Sequence, residues 1–270
     1  MKEKRPLVSV IVCAHNEEKY VDSCLSSLLK ALKGFESEVI LVADRCTDRT
    51  VEKAQKYGVM VIEKTWKRWR NSYSEALQTG YLKSKGEYIS IVDADIVVPS
   101  NFFRDLIPLI RGSTVSVAAH IVTYPFTLLN KLVSAWERTY EFTPLGKKPR
   151  GAARIVLKKS LDAIGGFRDV PTPDTDIDLR FEKMNWRSIS TKKVKVYHIR
   201  QISLKTIING QINRGRGRYA LGISLLRTLG HSLLRLRPLM ICGWLLEWRD
   251  AKLKDKPVKA PLRQRLQIIK

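Results

Sequence analysis

Two aspartates flank one alanine at Asp93-Ala94-Asp95, directly after the apolar run at residues 87–92 (EYISIV). Paired carboxylates at the end of a buried strand offer hard oxygen ligands, the kind that select Mg2+ or Mn2+. Such a cation grips the two phosphates of a nucleotide diphosphate and offsets the charge that builds on a departing diphosphate. The same three residues would be an ordinary solvated bend elsewhere; the strand before them gives them weight. Asp44 closes a second apolar run at residues 38–43 (EVILVA), where a carboxylate can accept hydrogen bonds from a nucleobase or a ribose. A third run, VSVIVCA, ends at Ala14 and leads into His15, Asn16, Glu17 and Glu18.

Further along, Pro173-Asp174-Thr175-Asp176-Ile177-Asp178 carries three acids at a spacing of two. On a helix these cannot all face one way. One acid can cap the helix start while another serves as the base that takes a proton from an acceptor hydroxyl. Asp176 is the preferred base and Asp174 the alternative. His198 closes another short strand and either completes a metal site, contacts phosphate, or plays a structural part. Lys67, Arg68 and Arg70 stand among Trp66 and Trp69, a cluster that suits phosphate or a solvated loop equally. Arg150 and Arg154, beside a glycine-containing loop, carry the same two readings.

Positioning these groups requires a particular arrangement of elements. β-branched apolar runs at residues 8–14, 38–43, 59–62 and 87–92 read as strands. Between them lie helical patterns: an apolar stripe at Val21, Leu25, Leu28, Leu29 and Leu32, a short helix capped by Thr47, and a helix over 72–84. Strand and helix alternating with short links predict an α/β fold with a mostly parallel sheet and helices on both faces. Ligands of such sheets bind outside the carboxyl ends of the strands, where His15, Asn16, Glu17, Asp44, Asp93 and Asp95 all fall. The second half predicts helices over 101–111, 127–142 and 174–184, strands over 113–122, 153–157, 187–190 and 194–198, and one long basic helix over 203–228.

Charge is unevenly spread along the 270 residues, whose formal net charge is +23. Residues 1–198 hold 33 Lys and Arg against 23 acids, whereas residues 199–270 hold 16 against 3. A tail this basic suits an anionic partner. Cys13, Cys24, Cys46 and Cys242 form no CxxC pair and no zinc spacing, and they read as buried apolar groups in a reducing, cytoplasmic setting. The N-terminal run is too short for a signal peptide, and no stretch reaches the roughly 18 apolar residues that span a bilayer.

The succession VSVIVCAHNEE, EVILVADRCTDRT, SEALQTGYLKSKGEYISIVDAD, IGGF and TPDTDIDLRFEKMNW resembles the family-2 glycosyltransferases of the GT-A fold over about residues 6–200. Five motifs in order make the resemblance specific. It implies a nucleotide-binding catalytic domain over 1–200 with a basic amphipathic helical extension over 201–270. It also implies an inverting transfer from a nucleotide-diphosphate sugar with Mg2+ or Mn2+. By resemblance Ala14, His15 and Glu17 cradle the nucleotide, Asp44 contacts the base, and Arg68 or Arg70 approaches the donor. Asp93, Ala94 and Asp95 hold the diphosphate and metal, His198 joins them, and Asp176 is the base. Cys46 stands where relatives carry Ser, and Thr175 replaces the first acid of their paired acids, which bears on the choice between Asp174 and Asp176. The transmembrane helices of processive synthases have no counterpart here, so a single-addition enzyme is expected.

The acceptor side points to a glycan or a lipid-linked hydroxyl or phosphate. Leu225, Leu226, Leu229, Leu233, Leu234, Leu236, Leu239, Trp244, Leu245 and Trp248 lie among arginines. That mix suits peripheral attachment to an anionic, cytoplasmic membrane face, and equally a helical subdomain packed within the protein or a dimer contact. A nucleotidyltransferase would carry a glycine-rich basic loop after the first strand, where this chain has His15-Asn16-Glu17-Glu18. A nucleic-acid-binding protein would leave the ordered acids at three strand ends unexplained.

Overall fold

The computed structural model of the protein describes residues 7–139 and 151–253. Arg150, most of the glycine-containing loop before it, the end of the helix expected over 127–142, and the tail from 254 lie outside the described residues.

The chain order is β1 (Val8–Ala14), α1 (Val21–Ala31), β2 (Ser37–Asp44), α2 (Thr50–Gln55), β3 (Met60–Lys64), α3 (Ser72–Lys83), β4 (Tyr88–Asp93) and β5 (Ile96–Val97). It continues through α4 (Phe102–Leu106), β6 (Thr114–Thr123), α5 (Leu128–Thr139), β7 (Ala153–Leu157), α6 (Lys158–Ala163), α7 (Pro173–Lys183) and β8 (Arg187–His198). Last come α8 (Leu204–Ala220), α9 (Leu225–Leu234) and α10 (Leu239–Leu253). The eight strands form one sheet in the order β3-β2-β1-β4-β7-β6-β8-β5. β1 pairs in parallel with both β2 and β4, and β2 with β3, so the sheet is parallel over its first half. β7 runs antiparallel between β4 and β6.

Alternation along the strands feeds two cores. Val8, Val10 and Val12 of β1 pack with Val21, Leu25 and Leu28 of α1 on one face, while Ile11 packs with Ala76 and Leu77 of α3 and Ile177 and Phe181 of α7 on the other. Both faces are therefore covered by helices, as the alternating pattern predicts. α3 lies close against β1 because position 80 is glycine; a Cβ there would stand 2.5 Å from Ile11 Cγ2. In α1 the buried stripe is Val21, Cys24, Leu25, Leu28 and Ala31, and Leu29 from the expected stripe faces solvent.

Several expected boundaries move. The helix expected over 101–111 stops at Leu106 and tightens into a 3-10 turn over Ile107–Leu109, where Pro108 supplies no N–H. The two short strands expected near 187–198 are one strand, β8, paired with β6 through two register shifts. Thr47 does not cap α2. Its N–H donates to Asn16 Oδ1 (2.8 Å), and Asp48 Oδ1 accepts from Thr50 N–H (3.0 Å) at the helix start. Of the cysteines only Cys24 is buried; Cys13 and Cys46 are half-buried, Cys242 is exposed, and all four are free thiols.

The chain separates into two compact units, one holding β1 to α7 and β8 up to Gln201, the other holding residues 170–172 and the chain from Ile202. In the second, the basic helix expected over 203–228 breaks after Ala220, with Gly222 at φ 73°, and α9 restarts behind Ser224. α8 and α10 cross with backbones in contact. A Cβ at Gly215 would lie 2.0 Å from Met240 O, and one at Gly243 2.0 Å from Ile212 O. Trp244 Nε1–H donates to Ile223 O (2.8 Å) and its ring meets Tyr219 edge-on. Among the described residues no helix is long and apolar enough to cross a membrane.

Candidate functional site

Because β1, β2 and β4 run parallel side by side, their carboxyl ends share one edge. Ala14 is level with Ala43, and Cys13 with Asp93. The strand order reverses direction at β1, the switch point where open α/β sheets bind ligands. A cleft of about 320 Å3 opens there, lined among others by Ala14, His15, Glu17, Asp44, Asp93, Ala94 and Asp95. Asn16 takes a left-handed conformation (φ 56°), which asparagine tolerates; its side chain ties the loop after β1 to Thr47 in the loop after β2. His15 Nδ1–H donates to Asp44 O (2.6 Å) across the same two loops.

The acids of this edge sit in contrasting fields. Asp93 Oδ1 accepts from the Tyr73 hydroxyl (2.8 Å). Burial, and next the charge of Asp95, push the Asp93 carboxyl up to about 7. Asp95 Oδ2 lies 3.0 Å from His198 Nε2 and 2.5 Å from Arg200 Nε. Burial raises its carboxyl too, but His198 and Arg200 outweigh this and hold it below the usual range. Arg200 also donates to Glu17 Oε1 and stacks over the Tyr20 ring, linking the β1 loop to the end of β8. Burial raises Glu17 despite Arg200 beside it.

Asp95 Oδ2 and His198 Nε2 have the separation of neighbouring ligands on an octahedral ion with bonds of about 2.1 Å. Among the described residues no three His, Cys, Asp or Glu side chains close into a metal cage. A cation held by Asp95 and His198 would have to take its other ligands from water and phosphate oxygens, as Mg2+ does. Burial and a like charge raise the Asp93 carboxyl, and a nearby cation would favour its ionisation.

Asp44 is tightly held. Lys64, fully buried, lies 2.7 Å from Asp44 Oδ1 and 2.9 Å from Glu75 Oε2, and donates to Trp66 O (2.6 Å). Arg45 forks onto both Asp44 oxygens at 3.0 Å and reaches Ser72 Oγ (2.8 Å). Arg68 and Arg70 are exposed and do not line the cleft. Their loop is pinned through backbone N–H groups, Arg68 to Glu75 and Arg70 and Asn71 to Asp169. Arg154 is not offered to a phosphate: it is fully buried, bound to Asp178 Oδ1 (2.6 Å) and Ser116 Oγ (2.6 Å).

The three acids of α7 part company. Asp178 anchors Arg154. Asp176, buried, lies 2.7 Å from Arg180 Nη2, and Arg180 donates to Ile164 O and Gly166 O in the glycine turn. Asp174 lies in the first turn, and its charge contributes to raising both Asp93 and Tyr73. Burial raises Asp174 itself, against the pull of Arg154. Arg200, Tyr73, Arg45 and Lys64 escaped the sequence reading. Arg200 carries a faint signal, two residues beyond His198 and so on the same side of an extended chain; the other three carry none.

A mixed sheet parallel over β3-β2-β1-β4, with acids at its carboxyl edge, is the GT-A type of α/β fold. The mannosyltransferase PcManGT of Pyrobaculum calidifontis, solved with GDP-Man and Mn2+, superposes with a TM-score of 0.64 at 20% identity, over 97% of this chain and 80% of that one. Glucosyl-3-phosphoglycerate synthase of Mycobacterium tuberculosis, solved with Mn2+, UDP and glucosyl-3-phosphoglycerate, gives 0.56 at 19% identity, over 78% of this chain and 77% of that one. These likenesses show the fold. The model of glycosyl transferase family 2 matches residues 9–167, and the chain belongs to that family. It is 33% identical over 120 residues to dolichol-phosphate mannosyltransferase of Pyrococcus furiosus, covering 43% of this chain and 33% of that protein. It is 24% identical over 202 residues to beta-monoglucosyldiacylglycerol synthase of Synechocystis sp., covering 67% of this chain and 41% of that protein. The match thus spans about a third to two fifths of these curated relatives.

Proposed function

We propose that the protein transfers a hexosyl group from a nucleotide-diphosphate sugar to a hydroxyl or phosphate acceptor, with inversion. The observation that carries this reading is the convergence of Asp44, Asp93 and Asp95 at the ends of β2 and β4, on either side of β1, in one cleft, with His198 3.0 Å from Asp95. We assign residues 1–200 to catalysis and 201–270 to a basic extension. The relatives named for dolichol phosphate and diacylglycerol support a lipid-linked acceptor.

Ala14, His15, Glu17 and Asp44 would bind the nucleoside. Asp93, Asp95 and His198 would hold Mg2+ or Mn2+, which supplies positive charge against the diphosphate. Arg200 would turn its guanidinium from Asp95 and Glu17 to the phosphate oxygens, for which its fork is suited. For the base we choose Asp174 over Asp176: the charge of Asp174 acts on Asp93 and Tyr73 and burial raises its carboxyl, whereas Asp176 is paired with Arg180. Asp174 would accept the proton of the acceptor hydroxyl as that oxygen attacks the anomeric carbon from the face opposite the diphosphate, and one such displacement inverts the centre.

The test of the site is thermal stabilisation by UDP, GDP, dTDP and CMP with and without Mn2+. A Mn2+-dependent shift with one diphosphate, lost in Asp93→Ala, is expected. Shifts that ignore both Mn2+ and Asp93→Ala would refute it. For the base, Asp174→Asn is expected to lower turnover by about 100-fold or more with the nucleotide shift intact. Asp176→Asn is expected mainly to lower Tm. A folded Asp176→Asn protein without turnover, beside an active Asp174→Asn, would return the role to Asp176. A product with retained anomeric configuration would overturn the single displacement.

A further inference from the structure

Asp44, the acid assigned to the nucleobase, is already largely occupied by cations. Burial raises its carboxyl, but Arg45 and Lys64 outweigh this and hold it below the usual range, so it is ionised near neutrality. An ionised carboxylate only accepts, at about four lone-pair positions shared by its two oxygens. Arg45 takes one on each oxygen: Nε–H donates to Oδ1 and Nη2–H to Oδ2, both at 3.0 Å. Such a fork covers the edge that the two oxygens share. Lys64 Nζ takes a further position on Oδ1, at 2.7 Å. With these three partners in place one position is left, on Oδ2.

The fork is fastened at both ends of the arginine. Arg45 takes a left-handed backbone conformation, φ 52°, which costs a residue other than glycine energy. Its N–H donates to Lys64 O (2.8 Å), continuing the pairing of β2 with β3. At the far end Nη2 reaches Ser72 Oγ (2.8 Å), in the first turn of α3. Yet the side chain is 37% exposed, and Asp44, Arg45 and Ser72 all line the cleft. A strained residue whose side chain opens on a ligand cleft is placed for the ligand more than for the core. Bases differ in what they offer such a pair. Guanine presents N1–H and N2–H side by side, and a carboxylate receives them as it receives a guanidinium, one on each oxygen. On Asp44 that edge is taken. Guanine must therefore displace the fork or leave one N–H unpaired, and either costs free energy. Uracil and thymine present one N–H, at N3, which needs only the position left on Oδ2. The carbonyl oxygens on either side of N3 accept, and suit the guanidinium N–H groups beside them.

We propose that the cleft takes a uracil or thymine nucleotide in preference to a guanine nucleotide, and that Arg45 sets this choice by occupying the edge of Asp44 that guanine needs. The proposal rests on the reading that the cleft binds a nucleotide-diphosphate sugar with Asp44 at its base. Its cause is the shape of the fork and not the charge alone, because a lysine at position 45 would meet the carboxylate as a single point and leave the shared edge open.

The test is calorimetric titration of the full chain with UDP and with GDP, each with and without Mn2+, in the wild type, R45M and R45K. In the wild type UDP is expected to bind about tenfold or more tighter than GDP. In both variants the two nucleotides are expected to come within about threefold of each other. Inorganic pyrophosphate with Mn2+, which has no base, is expected to bind the wild type and both variants alike, so that the change is read at the base and not at the phosphates. GDP binding as tightly as UDP in the wild type overturns the proposal and leaves the donor site standing. So does a preference for UDP that R45M and R45K leave unchanged. A preference lost in R45M but kept in R45K would assign the choice to charge and overturn the fork. Mn2+-dependent binding of neither nucleotide overturns the donor reading and this proposal together.

Discussion

Asp93 and Asp95 are separated by one alanine and buried in the same edge, yet burial dominates one and cations dominate the other. Only Asp95 meets His198 and Arg200; Asp93 meets a tyrosine hydroxyl. The same balance governs Lys64, buried between Asp44 and Glu75. Removing one partner of a buried pair strands the other's charge. Lys64→Met is therefore expected to cost about 3–5 kcal/mol in urea unfolding and to weaken nucleotide binding, because Asp44 loses the cation that orients it. Wild-type stability in Lys64→Met would mean that Arg45 alone suffices for Asp44. The strand-end acids were legible from sequence because an acid closing a β-branched run has a fixed place on a parallel sheet. Lys64 was not, since it closes β3 in a polar stretch, and a lysine there reads as solvated. Arg154 misled for the converse reason: beside a loop it reads as exposed, while β7 carries it into the sheet interior against Asp178.

At the scale of elements, Asp48 adds to the ties between the loops after β1 and β2. Asp48 accepts from Glu18 N–H (3.0 Å), Thr50 N–H (3.0 Å) and Thr50 Oγ1–H (2.5 Å). Burial pushes its carboxyl up, but these donors together hold it below the usual range. A depressed folded pKa contributes stability above the unfolded value of about 3.9 and loses it as pH falls through the folded value. Asp48→Asn is expected to lower Tm near neutrality, where the carboxylate's contribution is fully present, and to flatten the acid limb of Tm against pH below about 5. An unchanged acid limb would show that the stitch carries no free energy. In the second unit the glycine pair where α8 crosses α10 sets a different constraint. Gly215→Ala is expected to destabilise that unit by about 1–3 kcal/mol through overpacking, read as an earlier loss of helical signal in thermal unfolding. Alanine normally strengthens a helix, so the sign of the effect distinguishes the crossing from propensity. Helix periodicity made most elements readable. It did not reveal the break at Gly222, because a basic sequence with apolar residues at mixed spacings looks continuous until packing chooses a face. It also gave no sign that β8 would be one strand, since Thr191-Lys192-Lys193 carries no apolar alternation and falls at the register shift between the pairs Ala118–Ser190 and His120–Lys195.

For the molecule as a whole, the net charge of +23 attracts any polyanion, and 13 of that surplus falls in residues 199–270. Such attraction is sequence-independent and works through released counterions, so log affinity falls by about 0.7–0.9 per phosphate contact for each unit of log salt. The cleft at the strand ends is different in kind. Its charges are local, largely buried and of both signs, with Arg200, Lys64 and Arg45 set against Glu17, Asp44 and Asp95. Buried pairs are screened far less than surface charge. Binding to DNA or RNA of random sequence is therefore expected at low salt, without preference among sequences, and is expected to fall about 100-fold or more on raising salt to a few times the physiological level. Over the same range the affinity for a nucleoside diphosphate with Mn2+ is expected to change only about two- to threefold. Fluorescence anisotropy with a labelled oligonucleotide and calorimetry with the nucleotide, run in matched buffers, measure the two responses side by side. Parallel collapse of both would place the nucleotide on the basic surface and remove the cleft from consideration. Oligonucleotide binding that is sequence-selective and survives salt would give the charge a specific nucleic-acid partner.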